Sequence, residues 1–91
     1  MNTILIPEQL RKVVGGEQSL TMELTSIEDL IAQLSHKYPN IRGRLINEET
    51  GEFNKFVNIY VNGEDIRFLN STKTEVKDGD EISIVPAVAG G

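Results

Sequence analysis

Alternating hydrophobic and polar residues predict two β-strands near the start of the chain. Residues 3–6 are β-branched and apolar, and they end at Pro7, which has no amide hydrogen to donate to a sheet. Leu20, Met22 and Leu24 alternate with polar neighbours, which is the period of a half-buried strand. Between these strands, residues 7–14 are irregular and Gly15-Gly16 indicates a turn.

One amphipathic helix is predicted after the second strand. Thr25 and Glu28 have the spacing of a capping box, in which a hydroxyl and a carboxylate satisfy free amides at a helix start. Pro39 ends the helix, because a proline pushes the preceding residue out of helical geometry. The apolar residues between these signals recur at steps of three and four and form one stripe: Ile27, Leu30, Ile31, Leu34 and Tyr38.

The second half of the chain has the pattern of three more strands. Residues 41–46 fit one further helical turn. Residues 56–61 alternate again, and Asn62-Gly63 follows as a hairpin turn because both residues tolerate positive φ. Strands four and five are predicted at 66–69 and 81–85, with a polar connection between them and Pro86 closing the last strand.

This order of elements predicts an α+β fold. One amphipathic helix can bury its stripe only against one face of a mixed sheet. We therefore expect a β-grasp (ubiquitin-like) domain, with a mixed sheet of about five strands, one main helix packed on one face, and strands one and five parallel at the centre. The domain is expected to span residues 1–86, followed by a flexible C-terminal tail over 87–91.

Length and composition limit the classes of function. The 91 residues suffice for one domain, and the absence of cysteine excludes disulfides, thiolate metal sites and a catalytic cysteine. A formal charge of −5 argues against nucleic acid as the main partner. The apolar runs are too short for a membrane span, and residues 1–6 lack the features of a signal peptide. We expect a cytoplasmic monomer with no nucleic-acid or membrane partner.

The end of the chain is the strongest candidate for chemistry. Five residues beyond a proline extend up to about 16–18 Å, enough to enter a narrow channel. Glycine has no Cβ, so a terminal Gly-Gly permits close approach by another backbone and leaves the carboxylate unobstructed. Small residues at a frayed chain end are also common. The candidate residues are Pro86, Ala87, Val88, Ala89, Gly90 and Gly91.

Three segments resemble one known family. The helix SIEDLIAQL (26–34), the hairpin FVNIYVNGEDIRFL (56–69) and the ending DGDEISIVPAVAGG (78–91) are similar to the ubiquitin-like sulfur-carrier (ThiS/MoaD) family, typified by the thiamine carrier and the small subunit of molybdopterin synthase. Within that family, KFVNIYVNGEDIRF and PAVAGG are most similar to carriers that deliver sulfur for cysteine biosynthesis.

The resemblance implies chemistry on the carboxylate of Gly91. An ionised α-carboxylate, with a pKa near about 3.5, is a poor electrophile and must be activated. By family analogy an E1-like enzyme uses ATP to adenylate it, and a sulfur donor displaces AMP to leave a thiocarboxylate. In cysteine biosynthesis this group would attack an aminoacrylate held by a pyridoxal-phosphate-dependent cysteine synthase. The carrier would be a co-substrate that binds no cofactor itself.

An exposed sheet face is a second candidate site. If Val57, Ile59 and Val61 point to the core, alternation turns their neighbours to the opposite face. The residues predicted to form a partner-binding patch there are Phe56, Asn58, Tyr60, Arg67 and Val85. An open sheet face with one or two aromatic residues is also compatible with an ordinary solvent-facing surface.

Other polar residues give no catalytic pattern. His36 is the only histidine and lies off the apolar stripe, and no nucleophile–base pair or metal-ligand set is visible. Asp78, Asp80 and Glu81 fit a solvated turn better than a docking site for a basic partner. We therefore expect no catalysis by this chain alone and no bound metal.

Three alternative functions stay open at this point. The chain fits the small subunit of molybdopterin synthase, which would insert its tail into the synthase large subunit. It also fits a ubiquitin-like modifier whose terminal glycine forms isopeptide bonds with lysines. The third alternative is a β-grasp binding module that uses its sheet face and not its tail.

Overall fold

The computed structural model describes residues 1–47, 49–50 and 57–86. Within these ranges the strands are β1 (Asn2–Leu5), β2 (Ser19–Met22), β3 (Val57–Val61), β4 (Glu64–Asp65) and β5 (Glu81–Pro86). The α-helices are α1 (Ile27–Lys37) and α2 (Arg42–Leu45). Short 3₁₀ helices occupy Glu8–Val14, Pro39–Ile41, Ile66–Phe68 and Ser71–Lys73.

The strands form one mixed sheet in the order β2-β1-β5-β3-β4. β1 and β5 are parallel neighbours at its centre, and the other pairs are antiparallel. A parallel pair needs a long crossover connection, and here the connection from β1 to β5 contains α1 and the rest of the sheet. The predicted β-grasp arrangement, with strands one and five parallel at the centre, is confirmed.

The core lies between α1 and one face of the sheet. Alternate residues of the central strands are buried, among them Ile4, Ile59 and Ile82 at 0% exposure. The predicted stripe of α1 packs on them, with Tyr38 half-buried at its end and the other members buried: Ile27, Leu30, Ile31 and Leu34. Residues on the opposite face of the sheet are more exposed, among them Leu5 and Val85 at 38% and 40%.

The start of α1 differs by one residue from the predicted capping box. Ser26, not Thr25, is the N-cap, because its backbone is extended (φ −162°) and its Oγ accepts a hydrogen bond from the Asp29 amide at 3.0 Å. The Asp29 carboxylate in turn accepts from the Thr25 amide at 3.0 Å. The end of α1 is as predicted, since Lys37 is its last residue and Pro39 begins the next 3₁₀ turn.

The prediction of a fourth strand at 66–69 is wrong. The hairpin pairs only Glu64 and Asp65 with β3, and the chain then turns into the 3₁₀ helix Ile66–Phe68. The cause is the Asp65 side chain, whose Oδ1 accepts a hydrogen bond from the Arg67 amide at 2.9 Å and caps that helix. Ile66 is buried (2% exposed), so the apolar signal came from packing within a turn.

Two other segments also depart from the prediction. Residues 7–14, expected to be irregular, contain a 3₁₀ helix that buries Leu10 and Val14. The second strand stops at Met22 because the Leu24 amide donates to the side chain of Asn2 at 3.1 Å and not to a strand. The predicted alternation of burial holds from Leu20 to Leu24, but the strand pairing covers only Ser19–Met22.

The predicted hairpin turn after β3 is confirmed. Asn62 and Gly63 have φ of 51° and 86°, the left-handed values that a two-residue hairpin of this type requires. Among the helices that the structure describes, none has the length and apolar character to cross a membrane.

Candidate functional site

The candidate site begins where the sheet ends. The last paired residue of β5 is Pro86, which lies opposite Val57 of β3. A proline has no amide hydrogen, so it cannot donate a further bond to the sheet. The predicted tail, Ala87, Val88, Ala89, Gly90 and Gly91, follows directly and lies outside the described residues. The fold thus delivers the chain to this point from the central strand β5.

The outer sheet face next to Pro86 is apolar. Val85 of β5 is 40% exposed beside Pro86, and Leu5 of β1, which is in register with Ser83 two residues earlier, is 38% exposed. Asn58 lies directly opposite Val85 across the β3–β5 pair and is half-buried. An uncharged, partly apolar surface therefore borders the position from which the tail leaves.

A second row of residues lies on the same face, two residues further from the tail along each strand. Ser83 of β5 is opposite Tyr60 of β3, and Tyr60 is opposite Asp65 of β4. Residues directly opposite in a sheet point to the same face. The structure therefore brings together Asn58, Tyr60 and Val85 as predicted, whereas Phe56 lies outside the described residues.

Arg67 contacts this row through an ion pair with Asp65 that contains three side-chain hydrogen bonds. Its Nε donates to both carboxylate oxygens at 3.2 and 3.1 Å, and its Nη2 donates to Oδ2 at 2.7 Å. These hydrogen bonds lower the pKa of Asp65, and the same carboxylate raises the pKa of Arg67. The side chain of Asp65 is only 7% exposed and that of Arg67 is 62% exposed, so the guanidinium covers the acid and faces outward.

Sequence reasoning missed three residues of this region. Leu5 was assigned to a wholly buried strand, although burial of Ile4 and Ile6 on either side is a signal that it points outward. Asp65 gave no signal, because its pairing depends on a 3₁₀ turn. Phe68, the last residue of that turn, was assigned to a strand, but it is 86% exposed.

The acidic residues before β5 structure a turn at the far end of the sheet. Asp78 pairs with the N-terminal ammonium of Met1, and this contact lowers the pKa of Asp78. Asp80 accepts from the Lys77 amide at 2.9 Å and from the Asn62 side chain at 2.9 Å, and these bonds lower its pKa. The hydrogen bonds give this cluster a structural role in the turn, and it is distant along β5 from Pro86.

No candidate metal centre is present among the described residues. They contain no group of three or more metal-type ligands, and His36 is exposed on the surface of α1. The features that stand out are thus the exit of the tail and the outer sheet face beside it.

The fold and this site define a ubiquitin-like β-grasp protein with its last strand leading to a Gly-Gly ending. Residues 4–91 match the ThiS family, and the chain belongs to that family. It is 41% identical to the sulfur carrier protein CysO of Mycobacterium tuberculosis over 90 residues, which cover 98% of this chain and 97% of the relative. The chain is therefore a homologue of a ubiquitin-like sulfur carrier.

Two further comparisons agree with this assignment. The crystal structure of the Amycolatopsis orientalis BexX/CysO complex contains a chain that is 41% identical, with a TM-score of 0.89 and full coverage of both chains. The small archaeal modifier protein 3 of Haloferax volcanii is 36% identical over 84 residues, which cover 89% of this chain and 88% of the relative. The predicted family and fold are confirmed.

Proposed function

We propose that the chain carries sulfur as a thiocarboxylate on Gly91 and donates it in cysteine biosynthesis. The observation that carries this proposal is the position of β5, which is the central strand, is paired up to Pro86, and leads directly into the last five residues. The 41% identity to CysO over nearly the whole chain supports the same assignment.

The proposed chemistry has two steps on the terminal carboxylate. A carboxylate oxygen of Gly91 attacks the α-phosphorus of ATP on an E1-like enzyme, which forms the acyl adenylate and releases pyrophosphate. A sulfur nucleophile then attacks the acyl carbon and AMP leaves. Adenylation is needed because the ionised carboxylate, with a pKa near about 3.5, is a poor electrophile.

The acceptor that we propose is an aminoacrylate on a pyridoxal-phosphate-dependent cysteine synthase. The thiocarboxylate sulfur would form a bond to its β-carbon, and later hydrolysis would return Gly91 to a carboxylate. The carrier is then a co-substrate and not an enzyme, and ATP is bound by its activating partner. We place this chemistry in the cytoplasm.

The tail and the sheet face have separate tasks in this proposal. Residues 87–91 thread into the partner's active site, because five residues span up to about 16–18 Å, and Pro86 is the point at which they leave the sheet. The outer face, with Asn58, Tyr60, Arg67 and Val85, is the surface against which partners dock, and Phe56, which lies outside the described residues, is predicted to belong to it. CysO has been crystallised in a complex with BexX, which supports partner binding by this type of fold.

Intact mass spectrometry tests the proposal. The full chain is incubated with the E1-like enzyme of its own genome, ATP and sulfide, and the expected result is a mass gain equal to replacement of one oxygen by sulfur. A variant that lacks Gly91 serves as the matched control and should gain nothing. An unchanged mass of the full chain under these conditions would contradict the proposal.

The acceptor is tested by co-purification and turnover. Binding of a cysteine synthase to the thiocarboxylate form, with formation of cysteine, supports the cysteine pathway. Binding of a molybdopterin synthase large subunit instead would move the chain to molybdenum cofactor biosynthesis.

A second candidate function is covalent modification of proteins. The similarity to a small archaeal modifier protein favours it. It predicts conjugates of higher mass on a denaturing gel after incubation with ATP and the activating enzyme, and these should be absent with the variant that lacks Gly91.

A further inference from the structure

Phe68 is the largest exposed apolar side chain in the described part of the molecule. It is 86% exposed, and the next residue, Leu69, is 39% exposed. Burial stabilises a phenyl ring, so this exposed side chain keeps a large hydrophobic surface that a partner can cover. A single exposed apolar residue is ordinary, but Phe68 stands beside the fixed cation Arg67.

The turn that carries Phe68 is held at both ends. Ile66 is buried at 2% exposure and anchors the turn in the core. The Asp65 carboxylate accepts from the Arg67 amide at 2.9 Å, and the Leu69 amide donates to the Ile66 carbonyl at 2.9 Å. These contacts fix the backbone of the turn, in which Ile66 is the residue that faces the core and Phe68 is exposed.

Arg67 is oriented by the same carboxylate. Asp65 occupies the Nε–Nη2 edge of the guanidinium. A guanidinium has five N–H donors, so the edge formed by Nη1 and the second Nη2 hydrogen is left for a ligand. A cation that is already held in place loses less conformational entropy on binding than a free side chain does. The planar fork of arginine matches carboxylate and phosphate groups, and the side chains of a partner protein supply the carboxylate.

We propose that Arg67 and Phe68 form a docking corner for the E1-like activating enzyme, with Asp65 as the residue that positions Arg67. The partner surface that fits has an apolar pocket for the phenyl ring and a carboxylate at its rim for the guanidinium. The carboxylate is the charge-complementary group for a cation that stands out from a chain of net charge −5. This inference rests on the proposed function, because it takes the activating enzyme as the partner.

The test measures adenylation kinetics with the carrier as the varied substrate. Phe68→Ser and Arg67→Ala are each expected to raise KM by about tenfold, the usual effect of losing an aromatic or arginine anchor, with kcat unchanged. Arg44→Ala is the matched control, since it removes an exposed arginine from α2, on the side of the molecule that carries the helices. It should leave KM unchanged.

Asp65→Asn separates a positioning role from a structural one. It should raise KM in the wild-type background and have little further effect in the Arg67→Ala background. A purely structural role would give equal effects in both backgrounds, because loss of folded carrier lowers the effective substrate concentration and raises the apparent KM whether or not Arg67 is present. Circular dichroism at the assay temperature establishes that each variant is folded.

The outcomes distinguish this inference from the proposed function. If the wild-type chain is adenylated and the Arg67 and Phe68 variants keep its KM, only the docking corner is overturned. If the wild-type chain is not adenylated, both are overturned. A dimer in sedimentation experiments that Phe68→Ser dissociates would assign the corner to a second copy of this chain and also overturn the inference.

Discussion

Substitution of Asn2 is expected to weaken the fold more than any single surface change. Asn2 is 2% exposed at the start of β1, which lies next to the central strand β5. Its Nδ2 donates to the carbonyls of Lys77 and Asp80 at 2.7 and 3.1 Å, and its Oδ1 accepts from the Leu24 amide at 3.1 Å. One side chain thus ties β1 to the turn before β5 and to the segment that leaves β2.

The expected loss of stability follows from the hydrogen bond that each partner of Asn2 loses. In Asn2→Ala the buried Leu24 amide is left without a partner, which costs about 1–3 kcal/mol, while the two part-buried carbonyls can recover water and lose less. We expect a total loss of about 2–4 kcal/mol. Against a total stability of about 5–14 kcal/mol for a chain of this length, such a loss lowers the melting temperature by on the order of 10–30 °C.

Urea unfolding followed by circular dichroism measures the loss. Asn40→Ala is the control, because Asn40 is exposed in the turn after α1, and it should change stability by less than about 0.5 kcal/mol. Asn2→Leu restores most of the volume without the hydrogen bonds and should remain destabilised. Recovery of wild-type stability in Asn2→Leu, or a loss below about 1 kcal/mol in Asn2→Ala, would refute the reasoning.

Two further predictions concern the β3–β4 hairpin and the turn that follows it. Gly63→Ala should destabilise the fold by about 1 kcal/mol because φ at Gly63 is +86°, whereas Gly43→Ala in α2 should stabilise it by about 0.5–1 kcal/mol. A new Cβ at either site would meet no atom within 4 Å, so the difference comes from the backbone conformation. Effects of the same sign in urea unfolding would contradict this account. The pKa of Asp65 is lowered in the folded state by its hydrogen bonds with Arg67, so its contribution to stability is present above its ordinary pKa of about 3.9 and is lost as the pH falls through the folded value. The difference in melting temperature between wild type and Asp65→Asn should therefore shrink in acid, and a difference that is constant with pH would show that the charge of Asp65 is not involved.

The fold was predictable from the sequence wherever one face of an element is buried. Residues of β3 alternate strictly between core and outer face, and α1 carries a continuous stripe, so burial leaves a period in the sequence. The 3₁₀ segments were missed because they are short and their buried residues follow no sustained period. The Ile66–Phe68 turn was mistaken for a strand because a single buried residue beside exposed apolar ones resembles a strand pattern.

The candidate site was predictable only in part, for a similar reason. Alternation along β3 and β5 placed Asn58, Tyr60 and Val85 on one face, because strand geometry alone decides that. The Asp65–Arg67 pair depends on the exact point at which β4 gives way to a turn, which a side-chain cap determines. The residues at 87–91 and Phe56 lie outside the described ranges, so their roles stay predictions.

The distribution of charge along β5 bears on the proposed adenylation, in which an acidic chain must react with the polyanion ATP. Asp78 and Asp80 precede β5 and Glu81 is its first residue, so three acidic residues lie at the start of this strand. Glu81 and Pro86 are five residues apart in a strand, a separation of about 16 Å at the usual rise per residue. That is about twice the Debye length of about 8 Å at physiological ionic strength, so these acids exert little repulsion on an anion bound beyond Pro86. The outer face beside Pro86 has the uncharged residues Leu5, Asn58 and Val85. The net charge of this chain is therefore compatible with nucleotide chemistry at its C-terminal end, because these acids stabilise the turn at the opposite end of the strand.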